Sequence, residues 1–258
     1  MVERQHDGPL PAGMADTARI QRSFRRSLST YDEHATVQRR MAERLCALLP
    51  VRSYPCIAEL GCGTGQLTRL LAERIPCRSY LANDLVPECA GAALRFRPQA
   101  RFLPGDIDEE APHLREHQPD GFDLVISNAC LQWSRRPAAT LAALRAALKP
   151  GGILAFSSFG QDNLREIRAL FGVGLTSPAP DALRALLPAG TLLTLCEEHQ
   201  TIVFSSLLDA LRHLRATGVN AFDAPPLTHG RLKALDERFC RDFARTLTYH
   251  PRYVVLRA

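Results

Sequence analysis

The segment Cys56-Ile57-Ala58-Glu59-Leu60-Gly61-Cys62-Gly63-Thr64-Gly65-Gln66 constrains this chain more than any other. Its first half, Cys56 to Leu60, is a short apolar run that reads as a strand. Gln66 to Ile75 reads as the helix that follows. Glycines at alternate positions between the two allow positive φ and let the backbone approach a ligand without a Cβ clash. The helix start adds unpaired amides and the positive end of its dipole. A dinucleotide fingerprint needs Gly-x-Gly-x-x-Gly or Ala. Here the third glycine comes one residue early and Gln66 takes the last place. A phosphate loop needs Gly-Lys-Ser/Thr, which is absent. The loop fits a nucleoside ligand without a pyrophosphate. A plain tight strand–helix turn is the alternative.

Strand-like segments at 79–83, 101–103, 122–127 and 153–157 alternate with helical ones at 88–97 and 138–148, and Lys149-Pro150-Gly151-Gly152 closes the last helix. Such alternation implies a parallel α/β sheet with right-handed crossovers. Residues 32–49 read as an amphipathic helix ended by Pro50. Beyond residue 158 the pattern changes: 162–171, 181–187, 207–217 and 229–243 read as helices, and 192–204 as extended. The strand at 247–256 is interrupted by Pro251, which suits an edge position. These later elements are expected to complete the sheet and add a lid, giving one domain over 21–258. Helical cap elements are expected near 21–50, 160–190 and 205–242, and residues 1–20 are expected to be flexible.

Composition removes several function classes. The 258 residues are 46% hydrophobic and 23% charged, enough to bury a core. No apolar run reaches the roughly 18–20 residues a bilayer requires, so no membrane span is expected. The N-terminus lacks signal-peptide order. None of the eight cysteines pair as Cys-x-x-Cys. Buried free thiols in a reducing cytoplasm are the expectation. The net charge of +5 comes almost wholly from arginine and permits an acidic partner. The basic residues do not interleave with aromatics as a nucleic-acid surface would.

Polar residues stand at successive strand ends. Asp84 can accept hydrogen bonds from both ribose hydroxyls, as the acid of dinucleotide folds does. Asp106 can accept the exocyclic amine of adenine, with Ile107 against the ring. Asn128 closes the fourth strand. Any one of these aspartates alone could be a helix cap, but with the loop they form a row at the carboxyl ends of the strands, where open α/β sheets bind ligands.

This order of Glu59-Leu60-Gly61-Cys62-Gly63-Thr64-Gly65, Asp84, Asp106, Phe122 to Asn128 and Lys149-Pro150-Gly151-Gly152 resembles the class I methyltransferases. The resemblance implies a Rossmann-like, mostly parallel seven-stranded sheet with an antiparallel C-terminal edge strand and helices on both faces. It implies S-adenosylmethionine as cofactor, S-adenosylhomocysteine as product, and no metal. Glu59, Gly61 and Gly63 would lie near the methionine portion, Asp84 at the ribose, and Asp106 and Ile107 at the adenine. Cys62, Gln66, Leu85 and Asn128 would complete the cofactor site.

Ser127-Asn128-Ala129-Cys130-Leu131-Gln132-Trp133 differs from the Asn/Asp-Pro-Pro-Tyr segment of DNA and protein-amide methyltransferases and looks like the small-molecule group. Together with Phe24-x6-Tyr31-Asp32-x2-Ala35-x2-Gln38 it resembles the malonyl-acyl carrier protein methyltransferases of biotin synthesis. So do Ser158-Phe159-Gly160, Asn163-Leu164-x-Glu166, Leu214-x2-Thr217-Gly218-Val219-Asn220 and Leu247-Thr248-Tyr249-His250-Pro251. That family implies methylation of a malonyl carboxylate presented by an acyl carrier protein. A carboxylate is already ionised at pH 7 and needs no general base. Placing it in line with the methyl group is the main task. Tyr31 and Trp133 are expected to wall the pocket, and Arg212, or Arg215 beside it, to fork the carboxylate. His250 is expected to be a satisfied edge-strand histidine. Arg22, Arg25, Arg26, Arg39, Arg40 and Arg44 are docking candidates for an acidic carrier, and a monomer is expected. Alternatives are a methyltransferase for a free small acid or a ring hydroxyl, and a binding protein that keeps the fold without catalysis.

Overall fold

A computed structural model describes residues 16–174, 177–219 and 228–258. Three helices come first: Thr17–Ser27 (α1), Tyr31–His34 (α2) and Thr36–Ala47 (α3). Asp16 caps α1 by accepting the Ala18 amide at 3.2 Å. Helical order therefore begins inside the stretch expected to be flexible, and residues 1–15 lie outside the described residues. The helix expected over 32–49 is broken at Ala35, whose ψ of 47° leaves the helical region. Ala35 is buried, as are Val37, Met41 and Leu45 of α3.

The next elements alternate: Cys56–Leu60 (β1), Gln66–Arg74 (α4), Ser79–Asp84 (β2), Ala90–Phe96 (α5), Arg101–Pro104 (β3), Ile107–Glu110 (α6), Leu114–His117 (α7), Phe122–Asn128 (β4), Pro137–Ala146 (α8) and Leu148–Phe159 (β5). All five strands pair in parallel, in the order β3-β2-β1-β4-β5. Helices α6 and α7 are single turns, too short to show a helical period in sequence. The Lys149-Pro150-Gly151-Gly152 turn lies within β5 as an irregularity. The register jumps there from Phe122 opposite Leu148 to Leu124 opposite Ile153.

The remaining elements are Arg165–Phe171 (α9), Pro180–Leu186 (α10), Thr191–Glu197 (β6), Gln200–Val203 (β7), Leu207–Ala216 (α11), His229–Phe243 (α12), Thr246–Tyr249 (β8) and Pro251–Arg257 (β9). Strand β9 runs antiparallel between β5 and β6, so the seven-stranded sheet reads β3-β2-β1-β4-β5-β9-β6. The mostly parallel sheet with an antiparallel C-terminal strand is present, but that strand sits one place in from the edge and β6 takes the rim. Pro251 does not force an edge position because it is the first residue of β9, where a missing N–H is tolerated. The extended stretch expected over 192–204 is two strands. β7 leaves the main sheet and pairs with β8 in a two-stranded ribbon.

Alternate residues of each strand feed two cores, one on each face. Ile57, Leu124, Ile126, Ile153 and Val255 pack with α3 and α4. Ala58, Leu60, Val125, Leu154 and Leu256 pack with α8 and α10. The chain moves outward from β1 to β2 and β3, then returns to β4 on the other side. That reversal leaves a crevice beyond the carboxyl ends of β1 and β4, the position where such sheets hold ligands.

Candidate active site

The glycine loop forms the floor of the crevice. The Gly61 and Cys62 amides donate to Asn83 O at 2.8 and 3.0 Å, folding the loop across the end of β2. Gly61, Gly63 and Gly65 have φ of 73°, 53° and 82°, values that favour glycine. A Cβ at Gly61 would sit 2.5 Å from Cys130, and one at Gly65 3.0 Å from the Phe96 ring. At Gly63 a Cβ would meet nothing within 4 Å. The first and third glycines permit close packing. The middle one leaves an open cradle.

Asp84 lines this cradle. Its Oδ2 accepts the Gly63 amide and its Oδ1 the Val86 amide, both at 2.8 Å, while burial pushes its carboxyl above the ordinary value. Asp106 is a helix cap that also faces the crevice. Its Oδ1 accepts the Asp108 amide at 3.0 Å, and its Oδ2 accepts from Thr17 Oγ1 at 3.1 Å and Arg135 Nη2 at 3.2 Å. Helix α1 lies over the opening, presenting Thr17, Ile20 and Phe24, with Leu28 just beyond its end. Gln21 Nε2 ties it down by donating to Leu85 O at 2.8 Å. With Gly61, Leu85, Ile107 and Asn128 these residues line one continuous cavity. The two carboxylates, the open glycine and the apolar walls of Val86 and Ile107 fit a nucleoside with an amino-acid tail.

A second cavity continues from the first. Phe24, Tyr31, Ala129 and Trp133 line both. The Phe24 ring meets Trp133 edge-on at 5.7 Å and Tyr31 at 6.3 Å. Burial, and then the nearby Asp84 charge, hold the Tyr31 phenol well above its ordinary pKa. Ala129 turns the end of β4 with φ of 50°, and Asn128 is fixed by Gln38 O at 3.0 Å and Ser157 Oγ at 2.6 Å.

Four expected site residues lie elsewhere. Glu59 is buried beneath the loop because it shares the β1 face of Ile57. Its Oε2 accepts from Thr68 Oγ1 at 2.7 Å and from the Tyr80 hydroxyl, and burial pushes its carboxyl up to about 7. Cys62 turns into the core. Gln66 points away and donates to Asp32 Oδ1 at 2.9 Å, joined there by Thr64 Oγ1, so it pins α2 to the loop. Arg212 is exposed and pairs with Asp209 at 3.1 Å. Helix α11 turns Leu207, Ala210 and Leu214 inward, which leaves Arg212, and the exposed Arg215, on its outer side.

His250 lies outside both cavities. Its Nδ1 accepts the Asp162 amide at 3.2 Å, and its ring stacks on His199 at 4.1 Å. Polar atoms of Asp162, His199 and His250 come within 4.8 Å of one another, but stacked imidazoles do not aim their in-plane lone pairs at one point.

Of the second cavity's walls, the sequence marks only Tyr31 and Trp133 as site residues. The cavity's other walls include Gln38, Gln132, Phe159, Asn163, Leu164, Thr217, Val219 and Tyr249. Each belongs to a segment on which the family resemblance rests, yet none carried a role. Scattered over more than two hundred positions, they show no local spacing that would group them.

The comparisons agree with this geometry. A family model described as a methyltransferase domain matches residues 58–154. Among solved structures, an N-methyltransferase, NodS, from Bradyrhizobium japonicum in complex with S-adenosyl-L-homocysteine superposes with a TM-score of 0.56 at 18% identity, covering 93% of this chain and 98% of that one. The cyclase SpnF superposes at 0.51 with 16% identity, covering 85% and 80%. These likenesses speak to the fold, and the pair shows that the fold alone does not fix the reaction. A malonyl-acyl carrier protein O-methyltransferase from Chlorobium luteolum is 36% identical over 95% of this chain and 97% of its own length. One from Haemophilus influenzae is 34% identical over 94% and 95%. Fold and crevice together define a class I S-adenosylmethionine-dependent methyltransferase. Within that class, the chain belongs to the malonyl-acyl carrier protein O-methyltransferase family.

Proposed function

We propose that the chain methylates the free carboxylate of a malonyl thioester carried by acyl carrier protein, giving the methyl ester from which a pimeloyl chain for biotin is built. The observation that carries this reading is the convergence of the family-bearing segments on the second cavity. General methyltransferases share the crevice, but residues from 24 to 249 meet only where an acceptor would sit.

S-adenosylmethionine supplies an electrophilic sulfonium methyl. A malonyl carboxylate oxygen takes up that methyl, the electron pair of the broken bond stays on sulfur, and no proton moves. The chain's residues then have three tasks. Asp84, Asp106 and the Gly61–Gly63 backbone fix the donor's position. Phe24, Tyr31 and Trp133 form the aromatic neck between the cavities, where the two reacting groups must meet in line. Half-buried, they restrict water at the meeting point. A ring-hydroxyl acceptor would need a base, and among the described residues no histidine, aspartate or glutamate lines the second cavity.

Carrier docking falls to the basic outer faces of α1 and α3. Two of the six arginines are already paired, Arg25 with Glu88 at 2.7 Å and Arg44 with Glu198 at 3.2 Å. Arg22, Arg26 and Arg40 are exposed for an acidic partner, which they would steer more than tighten. Among the described residues no helix is long and apolar enough to cross a membrane. We read the enzyme as a cytoplasmic monomer. Labelled methyl from S-adenosylmethionine should appear on malonyl-carrier protein. Its absence there, with label on another acceptor, would overturn the assignment.

A further inference from the structure

We infer that Tyr249, held by His213, is the hydrogen-bond donor that orients the acceptor carboxylate, and that the acceptor cavity uses neutral donors in place of an arginine. This inference rests on the carboxyl-methylation reading and names how that site holds its substrate.

The chemistry favours such a cavity. As the carboxylate oxygen forms its bond to the methyl group, its negative charge disappears and a neutral ester remains. A guanidinium fork would stabilise the ionised reactant strongly. It would lose that stabilisation as the ester forms. Only interactions that strengthen toward the transition state speed the step. A phenol or amide donor binds the carboxylate less tightly and still hydrogen-bonds an ester oxygen. It therefore orients the acceptor with a smaller penalty.

The second cavity has this character. Among its described lining residues none is charged, and its polar side chains include Tyr31, Gln38, Gln132, Asn163 and Tyr249. The Gln132 amide is engaged as a donor, Nε2 to Ala129 O at 2.6 Å, and Asn163 is held through its Oδ1, which accepts the His250 amide at 3.3 Å. Tyr249 is different. It is 1% exposed, and its hydroxyl lies 2.8 Å from His213 Nε2, so β8 and α11 meet through this contact. His213 follows Arg212 by one residue, about 100° around the helix, which carries it from the outer side toward the packed face. Its ring is braced by Phe204 at 5.2 Å and His34 at 6.0 Å.

The role requires the tautomer of His213 that carries its hydrogen on Nε2. A neutral imidazole with its hydrogen on Nε2 donates to the phenol oxygen and leaves the phenol hydrogen for the cavity. Burial, and then the neighbouring His34, hold His213 below the ordinary histidine pKa. Burial holds the Tyr249 phenol above its ordinary value, so it keeps its proton. Donation into the phenol oxygen also strengthens the phenol as a donor. His213 is thus a positioning residue that acts through Tyr249.

The test compares malonyl-carrier with acetyl-carrier protein, which has no carboxylate. Binding to the S-adenosylhomocysteine-loaded enzyme is followed by the fluorescence of Trp133, the single tryptophan of the chain. Tyr249→Phe should weaken malonyl-carrier binding at least ten-fold, the worth of one hydrogen bond to a charged group. Acetyl-carrier and cofactor affinity should not change. His213→Ala should behave as Tyr249→Phe does, and His213→Gln, which keeps an amide donor, should recover most of the loss. Unchanged malonyl binding in Tyr249→Phe, or equal weakening of both carriers, would overturn the inference and leave the methylation reading standing. A wild-type enzyme that neither binds nor methylates malonyl-carrier protein would remove both.

Discussion

At the scale of single residues, the crevice separates into groups that hold the ligand and groups that hold the loop. Gly63 and Gly61 illustrate the difference. Gly63→Ala places a methyl in open space at φ 53°, so the fold should bear only the left-handed cost of about 1–2 kcal/mol while cofactor affinity falls at least ten-fold. Gly61→Ala adds a clash with Cys130 and should cost considerably more stability. Melting curves with and without S-adenosylhomocysteine distinguish them, and a Gly63→Ala enzyme with wild-type cofactor affinity would contradict the cradle. Glu59 belongs to the second group. Its folded-state pKa of about 7 lies above the ordinary carboxyl value of 4.5, so the folded state binds this proton more tightly. The stability it contributes is full below about 4.5 and is withdrawn as pH rises toward 7, by up to about 3 kcal/mol. The melting temperature of wild type minus that of Glu59→Gln should therefore fall between pH 5 and 8, and a constant difference would contradict the assignment. The row of Asp84, Asp106 and Asn128 was legible because strand ends are local features. The inward turn of Glu59 was legible in principle from its period-two partnership with Ile57, but the motif drew it to the ligand instead.

At the scale of elements, the parallel half could be read from sequence because its buried strands are apolar runs and α4 and α8 exceed two turns. The C-terminal half resisted for physical reasons. Pro251 signals an edge strand, yet at the first position of β9 its missing N–H is harmless, and β9 enters the sheet between β5 and β6. Arg212 and His213 are adjacent in sequence, and only the packed face of α11 decides that the histidine reaches the cavity wall while the arginine reaches Asp209. Helix α1 is the element whose role is most open to measurement. It is fastened over the crevice by Gln21 to Leu85 O and by Thr17 to Asp106. Gln21→Ala should lower cofactor affinity several-fold, in keeping with the loss of one net hydrogen bond, and leave the melting temperature of the cofactor-free protein nearly unchanged. Trp133 fluorescence titration measures the first quantity. Unaltered affinity would mean that α1 merely rests on the crevice.

At the scale of the whole molecule, two cavities meet at an aromatic neck. One is built from the shared sheet and glycine loop, the other from segments as distant as Phe24 and Tyr249. That division explains why a nucleoside ligand could be read from the strand ends, while the cofactor's identity and the acceptor came only from resemblance: the first site is local to strand ends, the second is assembled by tertiary packing. It also locates the central claim, that a carrier-bound malonyl carboxylate occupies the second cavity. The most direct test is to offer labelled S-adenosylmethionine with malonyl-carrier protein, acetyl-carrier protein and free malonate in parallel. Label is expected on malonyl-carrier protein alone, released by base as an ester would be. Label on free malonate in preference to malonyl-carrier protein, or on acetyl-carrier protein at all, would contradict it.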